Sequence, residues 1–371
     1  MSSQHSETFK LPFYAKAALV LIAAYAFIYF LIIGQEIIAP LLFATIIAIL
    51  LNSVVVLLER IKLPRILAIT LSVIAAIVFV FGLAYFLTTQ VAQFSEAIPQ
   101  LEAKLNLYIS QLSNWLGNEF NVKASTIARW KSDIRNALFS NSGVMIGRTL
   151  TTITGFLFVV TLLPVYVWLI LYYQPLLLEF IRKAFGRTNQ EAVGEVLVES
   201  RGIIQSYLVG LLIEVVIVTT LATVALLILG IDYAFLLGII AGLFNMIPYI
   251  GGIVGAVLPM SIALLTKDDP IYAVYVVVAY MAIQFIDNNV IVPRIVAAKV
   301  QVNALVSVIV VVIGGSLWGI PGMFLSIPMT AIVKVICDRV EPLKPYGYLL
   351  GDTMPRHSWF SLEFIRKKSE K

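Results

Sequence analysis

The chain has 371 residues, 60% of them hydrophobic and 13% charged, with a mean hydropathy of +0.95 and a formal net charge of +5. That balance excludes an ordinary soluble domain, which has neither so much apolar surface to hide nor so few charges to expose. The basic excess sits in short clusters between apolar runs, the pattern of a membrane surface, so the bilayer is the expected partner and nucleic acid is not. The single cysteine, Cys337, allows neither an intramolecular disulfide framework nor a cysteine-built metal site, and reads as a small buried hydrophobe.

Taken in chain order, the first apolar stretch is Ala17 to Ile33, preceded by Lys10 and Lys16. It is longer than a signal's apolar core and leads into further apolar runs without a convincing cleavage site, which predicts a retained first span. Ile37 to Leu58 and Ile66 to about Thr89 predict the second and third, separated by the basic loop Glu59 to Arg65. At about 1.5 Å of rise per residue, each can cross a hydrocarbon layer roughly 30 Å thick. Pro40 falls in the first turn of the second span, where its missing donor costs least.

The polar segment 90–148 carries Phe94, Ile98, Leu101, Leu105, Tyr108, Leu112 and Trp115, alternating four and three apart. This heptad seam predicts an amphipathic helix. It suits packing on its own protomer, a place at the lipid interface, or a contact between copies in a homo-oligomer. Thr149 to Leu178 and Ser206 to Leu229 predict the fourth and fifth spans.

Orientation follows from the basic residues. Arg60, Lys62 and Arg65, then Arg182, Lys183, Arg187 and Arg201, then the tail from Lys334 to Lys371 all fall on one side, whereas the short connections at Gln35 and Gly230 hold no Lys or Arg. The positive-inside rule then puts both termini in the cytoplasm and segment 90–148 outside. The expected organisation is a three-span region (1–89), the extracytoplasmic segment (90–148), a transport core (149–336) and a cytoplasmic tail (337–371).

The C-terminal half carries the functional signals. The uncharged run Tyr233 to Thr266 is too long for one straight span and is interrupted by Asn245, Pro248, Gly251, Gly252, Gly255 and Pro259. A second long run, Val300 to Val333, is interrupted by Gly314, Gly315, Gly319, Pro321 and Gly322. Breakers at that density predict broken or re-entrant helices, and irregular backbone at membrane depth survives only where protein buries it or a cavity hydrates it. Such pairs point to a solute site. The competing reading is that the glycines only let helices approach closely. Between the runs, the helix Ile271 to Ile286 carries Gln284 and ends in Asp287, Asn288, Asn289 and then Pro293; a second acid, Glu214, lies inside the fifth span. A carboxyl group at mid-membrane costs about 2.5 to 3.5 kcal/mol on insertion scales, which marks Asp287 and Glu214 as candidates for proton or ion coupling, with structural or interfacial acids as the alternative.

Taken together, Pro248-Tyr-Ile-Gly-Gly with Pro259, Gln284 with Asp287, Asn288, Asn289 and Pro293, Gly314-Gly-Ser-Leu-Trp-Gly-Ile-Pro-Gly-Met, and Ile327-Pro328 resemble the autoinducer-2 exporter family of permeases over essentially the whole chain. The resemblance implies export of a small signal of the autoinducer-2 kind or, for some members, sodium/proton exchange. The chain departs from the family's frequent proline pair before the last apolar run, reading Asn303-Ala304.

The expectation is an all-α polytopic membrane protein with about six full spans, two broken or re-entrant segments and an extracytoplasmic amphipathic helical segment. Its expected work is transport of a small polar solute, with an antiporter as the alternative and a non-transporting scaffold as a third reading. Neither a nucleotide-cradling loop nor a His-Glu-x-x-His or Gly-x-Ser-x-Gly motif occurs, so neither catalysis nor a cofactor or metal is expected.

Overall fold

The computed structural model describes residues 12–120, 129, 141–184, 190–247, 250–296 and 302–353. The described residues are helical almost throughout, and seven of their helices are long and apolar enough to cross a membrane. Helices α1 (Phe13–Ile33) and α2 (Gln35–Arg60) are joined by Gly34 alone. Helix α1 buries no residue and meets the rest of the chain at its C-terminal end, where Trp318 Nε1 donates to the Leu31 carbonyl at 3.0 Å. An apolar helix exposed on every side is stable in lipid and not in water.

Helix α3 (Arg65–Phe120) runs without a break from the basic loop through the third expected span and into the polar segment. Gln, Glu and Lys in its second half favour helix, and the helix outlasts the apolar run even past Pro99 and Gly117. The seam side chains from Phe94 to Trp115 lie outside those described. Helix α4 (Asn141–Ala184) and α5 (Gln190–Ile228) also extend beyond the expected spans. At one end of the molecule Arg65 donates to the Leu171 carbonyl at 3.2 Å and to Gln174 at 3.3 Å, and Arg339 pairs with Glu195 and Glu199. At the opposite end Lys104 of α3 pairs with Asp268 at 3.6 Å.

The two interrupted runs fold into hairpins. Helix α6 (Ala234–Asn245) is too short to cross a bilayer, and α7 (Ile250–Thr266) returns beside it. A Cβ at Gly251 would stand 2.3 Å from Asn245 Cα, and one at Gly255 would stand 3.4 Å from Ala241 Cβ, so the two arms lie antiparallel. Helix α8 (Ile271–Ile286) then continues as a π-helical stretch, Asp287–Val296. Helix α9 (Ala304–Arg339) is continuous by hydrogen bonding but turns back on itself at Trp318 and Gly319, the latter at φ 62° and ψ −141°. Gly314 faces Gly322 and Ser326 across this second hairpin, and Gly315 faces Met323. Asn303 caps it: its side chain accepts from Val306 N at 2.9 Å and donates to the carbonyls of Leu349 and Gly351, which ties in α10 (Lys344–Leu350).

Candidate functional site

The first hairpin is seated by small residues. A Cβ at Gly238 would come within 2.1 Å of Thr223 Oγ1, and one at Gly242 within 2.1 Å of Thr219 Oγ1 and 2.9 Å of the Val215 carbonyl. These two glycines, four apart, let α6 lie directly on the backbone of α5, the close approach that drives helix association where lipid removes the hydrophobic driving force. One turn further along, the same antiparallel register brings Asn245 opposite Glu214.

Asn245 Nδ2 donates to Glu214 Oε1 at 2.7 Å and to Asp287 Oδ2 at 2.9 Å. Its two amide hydrogens therefore bridge two acids, each almost fully buried. Gln284 Nε2 lies 3.5 Å from Asp287 Oδ2, and the Gln284 amide packs directly on Gly252, whose Cβ would stand 2.7 Å from Gln284 Oε1. Glu214 sits about four helical turns before the end of α5 at Ile228, and Asp287 just past the end of α8, so each is roughly 20 to 24 Å of helix from the face where Gly230 meets Lys267. Both acids therefore fall inside a layer roughly 30 Å thick, about 6 to 10 Å from its far face.

The polar stripe on α8 continues upward. Tyr280, Gln284 and Asp287 share one face, and among the described residues neither Tyr280 Oη nor Asp287 Oδ1 has a hydrogen-bond partner. Buried polar atoms are nearly always paired, so these two mark a place for a proton, a water or a ligand atom. The π-helical turn begins at Asp287; wide turns of this kind are rare and recur at functional sites. Pro293 removes a donor within it, and Asn289 Nδ2 bonds the Phe285 carbonyl at 2.8 Å.

The structure thus brings Asn245, Gly251, Gly252, Gln284, Asp287 and Glu214 together. Asn288 lies beside Gln284 at 3.5 Å, while Asn289 and Pro293 lie along the π segment, Asn289 facing outward. Pro248 is outside the described residues. Gly314, Gly315, Gly319, Pro321 and Gly322 form the turn of the second hairpin and do not touch the acids; the two regions meet through apolar side chains, with Met246, Val292, Trp318 and Met323 packed on one cluster. Sequence reasoning passed over Tyr280, Thr219 and Thr223. The i, i+4, i+7 spacing of Tyr280, Gln284 and Asp287 was the signal that could have found the first. Among the described residues no group of three or more His, Cys, Asp or Glu side chains converges.

The profile described as AI-2E family transporter matches residues 19–341. The chain belongs to this family. It is 26% identical to the AI-2 transport protein TqsA of Escherichia coli K12, over 86% of this chain and 90% of that one. It is 28% identical to YueF of Bacillus subtilis strain 168, named as a candidate transport protein, over 82% and 84% of the two chains. The candidate permease PerM of Escherichia coli K12 is 27% identical, over 85% and 90%. Membership in a transporter family and the seven apolar helices make this a multi-pass membrane protein of the permease class.

Proposed function

We propose that this protein is an exporter in the cytoplasmic membrane that moves a small, polar, hydroxylated solute, a signal of the autoinducer-2 kind being one candidate, through the site bridged by Asn245. The observation that carries the reading is the meeting of Glu214, Asn245 and Asp287 at the tip of a helical hairpin. Amides and carboxyl groups bind hydroxyls in either sense, and unpartnered acceptors at membrane depth leave capacity for them. The name of TqsA supports the substrate class. In this reading both termini are cytoplasmic, the two hairpins enter from opposite faces, and copies assemble as a homo-oligomer through contacts that include the seam from Phe94 to Trp115.

Reconstituted vesicles test it. Solute flux should fall at least ten-fold in Asp287→Asn and Asn245→Ala proteins that still fold and insert. Wild-type flux in these variants would remove the site. Flux that follows an imposed sodium gradient instead of solute would make the protein an antiporter. In a Cys337→Ala background, a cysteine at Asp268 should be labelled from outside and one at Arg201 only after permeabilisation. The reverse pattern would invert the orientation.

A further inference from the structure

A cavity of about 710 Å³ opens between α2, α4, α5 and the second arm of α9, at the end of the molecule where the basic residues gather. Its walls are apolar, built from residues such as Ile46, Ala48, Leu171, Leu197, Ile204 and Ile332. The polar solute of the proposed transport site would gain nothing from them. The volume falls in the range of pockets that enclose small apolar ligands.

Polar groups stand at one edge. Ser200 is nine-tenths buried, lines the cavity, and among the described residues its Oγ has no hydrogen-bond partner. The next residue, Arg201, also lines the cavity and shares an adjoining space of about 280 Å³ with Arg60, Ser53 and Gln205. Two exposed guanidinium groups from α2 and α5 therefore line one small space, and Arg201 borders the large apolar one as well. Neither has an ion-pair partner among the described residues. The other acids nearby are already engaged: Glu195 and Glu199 with Arg339, and Glu341 with Lys344. Glu59, next to Arg60 on α2, has no ion-pair partner among the described residues, and the guanidinium groups of Arg60 and Arg201 outnumber it at this edge.

Arg60 ends α2, and Arg201 lies about 10 Å of helix beyond the stretch of α5 that a bilayer core accommodates, so both stand outside the hydrocarbon core on the same side, where phosphate groups begin. Basic pockets between helices at that depth suit phosphate headgroups, and guanidinium groups bind phosphate by paired N–H donors. We infer that this cavity is a binding site for an anionic phospholipid, with one acyl chain in the apolar space, the phosphate between Arg60 and Arg201, and the Ser200 hydroxyl donating to a headgroup or ester oxygen. The site is separate from the Asn245 cluster, so it stands or falls independently of the transported solute.

Lipid competition tests it. Native mass spectrometry of the detergent-purified protein, exposed to equal phosphatidylglycerol and phosphatidylcholine, should show at least ten-fold preferential retention of phosphatidylglycerol, and thermal unfolding should move up by several degrees with that lipid only. Arg60→Gln with Arg201→Gln should lose the preference, whereas Arg182→Gln with Lys183→Gln, which removes exposed charges at the same end, should keep it. Ala48→Trp, which fills the cavity, should lower retention with both arginines in place. Equal retention of the two lipids, or wild-type preference in the Arg60 and Arg201 double variant, overturns the inference. So does an equal thermal shift with glycerol 3-phosphate, which would assign a free phosphate site without an acyl chain.

Discussion

The two hairpins use one device for different ends. Each interrupts a long apolar run with glycine and proline, and each returns the chain beside itself. In the first, the turn carries an asparagine onto two buried acids, so the break delivers polar chemistry to membrane depth. In the second, the residues at the break contact each other: Gly314 lies against Gly322, and Trp318 reaches out to α1. Breaking power alone does not make a solute site; what the turn carries, and what it lands on, decides.

The sharpest way to break this contrast is Asn245→Leu. It removes both bridging hydrogen bonds and leaves two buried acids facing an apolar group, at a cost of about 1 to 3 kcal/mol for each acceptor left without its donor. Thermal unfolding in detergent measures it, and stability within about 0.5 kcal/mol of wild type would mean that the bridge does not exist in the membrane. Next comes Gly322→Ala. Its Cβ would stand 1.9 Å from the Gly314 carbonyl oxygen, so the arms must separate, at about 1 to 3 kcal/mol for overpacking, while flux per folded molecule stays near wild type. A selective loss of flux there would place the second hairpin in the solute path.

A smaller effect is expected at Gly252. The added methyl meets the end of Gln284, a flexible side chain that can swing away, so stability should change by less than about 1.5 kcal/mol while flux falls through the displaced amide. Unchanged flux would remove Gln284 from the site. The smallest effect belongs to Lys104→Ala. The pair with Asp268 ties the base of the first hairpin to α3 through solvent-exposed groups, and such pairs contribute about 0 to 1 kcal/mol. A larger loss would show that this contact clamps the hairpin.

Much of this fold was legible because a bilayer simplifies the grammar. Every backbone group must be satisfied within the chain, so apolar run length predicts helices α1 to α5 and α8, and Pro-Gly density predicts two interruptions without deciding between a hairpin and a broken crossing. Boundaries were less legible. Helix α3 outran its apolar stretch because Gln, Glu and Lys beyond it still favour helix, and Gly34 alone joins α1 to α2 where a short loop was expected. The candidate site was readable as a set of residue types, since buried acids and amides are conspicuous among aliphatic side chains. Which residue met which was not.

By itself, the sequence determined that this is a polytopic helical protein, that two of its long apolar segments are interrupted, and that Glu214, Asn245, Gln284 and Asp287 are costly residues in need of partners. Only the tertiary structure decided that Asn245 is the partner of both acids. That meeting depends on Gly238 and Gly242 letting α6 slide onto α5 in one register, and register between segments distant in sequence is a property of packed backbones that no spacing within one segment encodes.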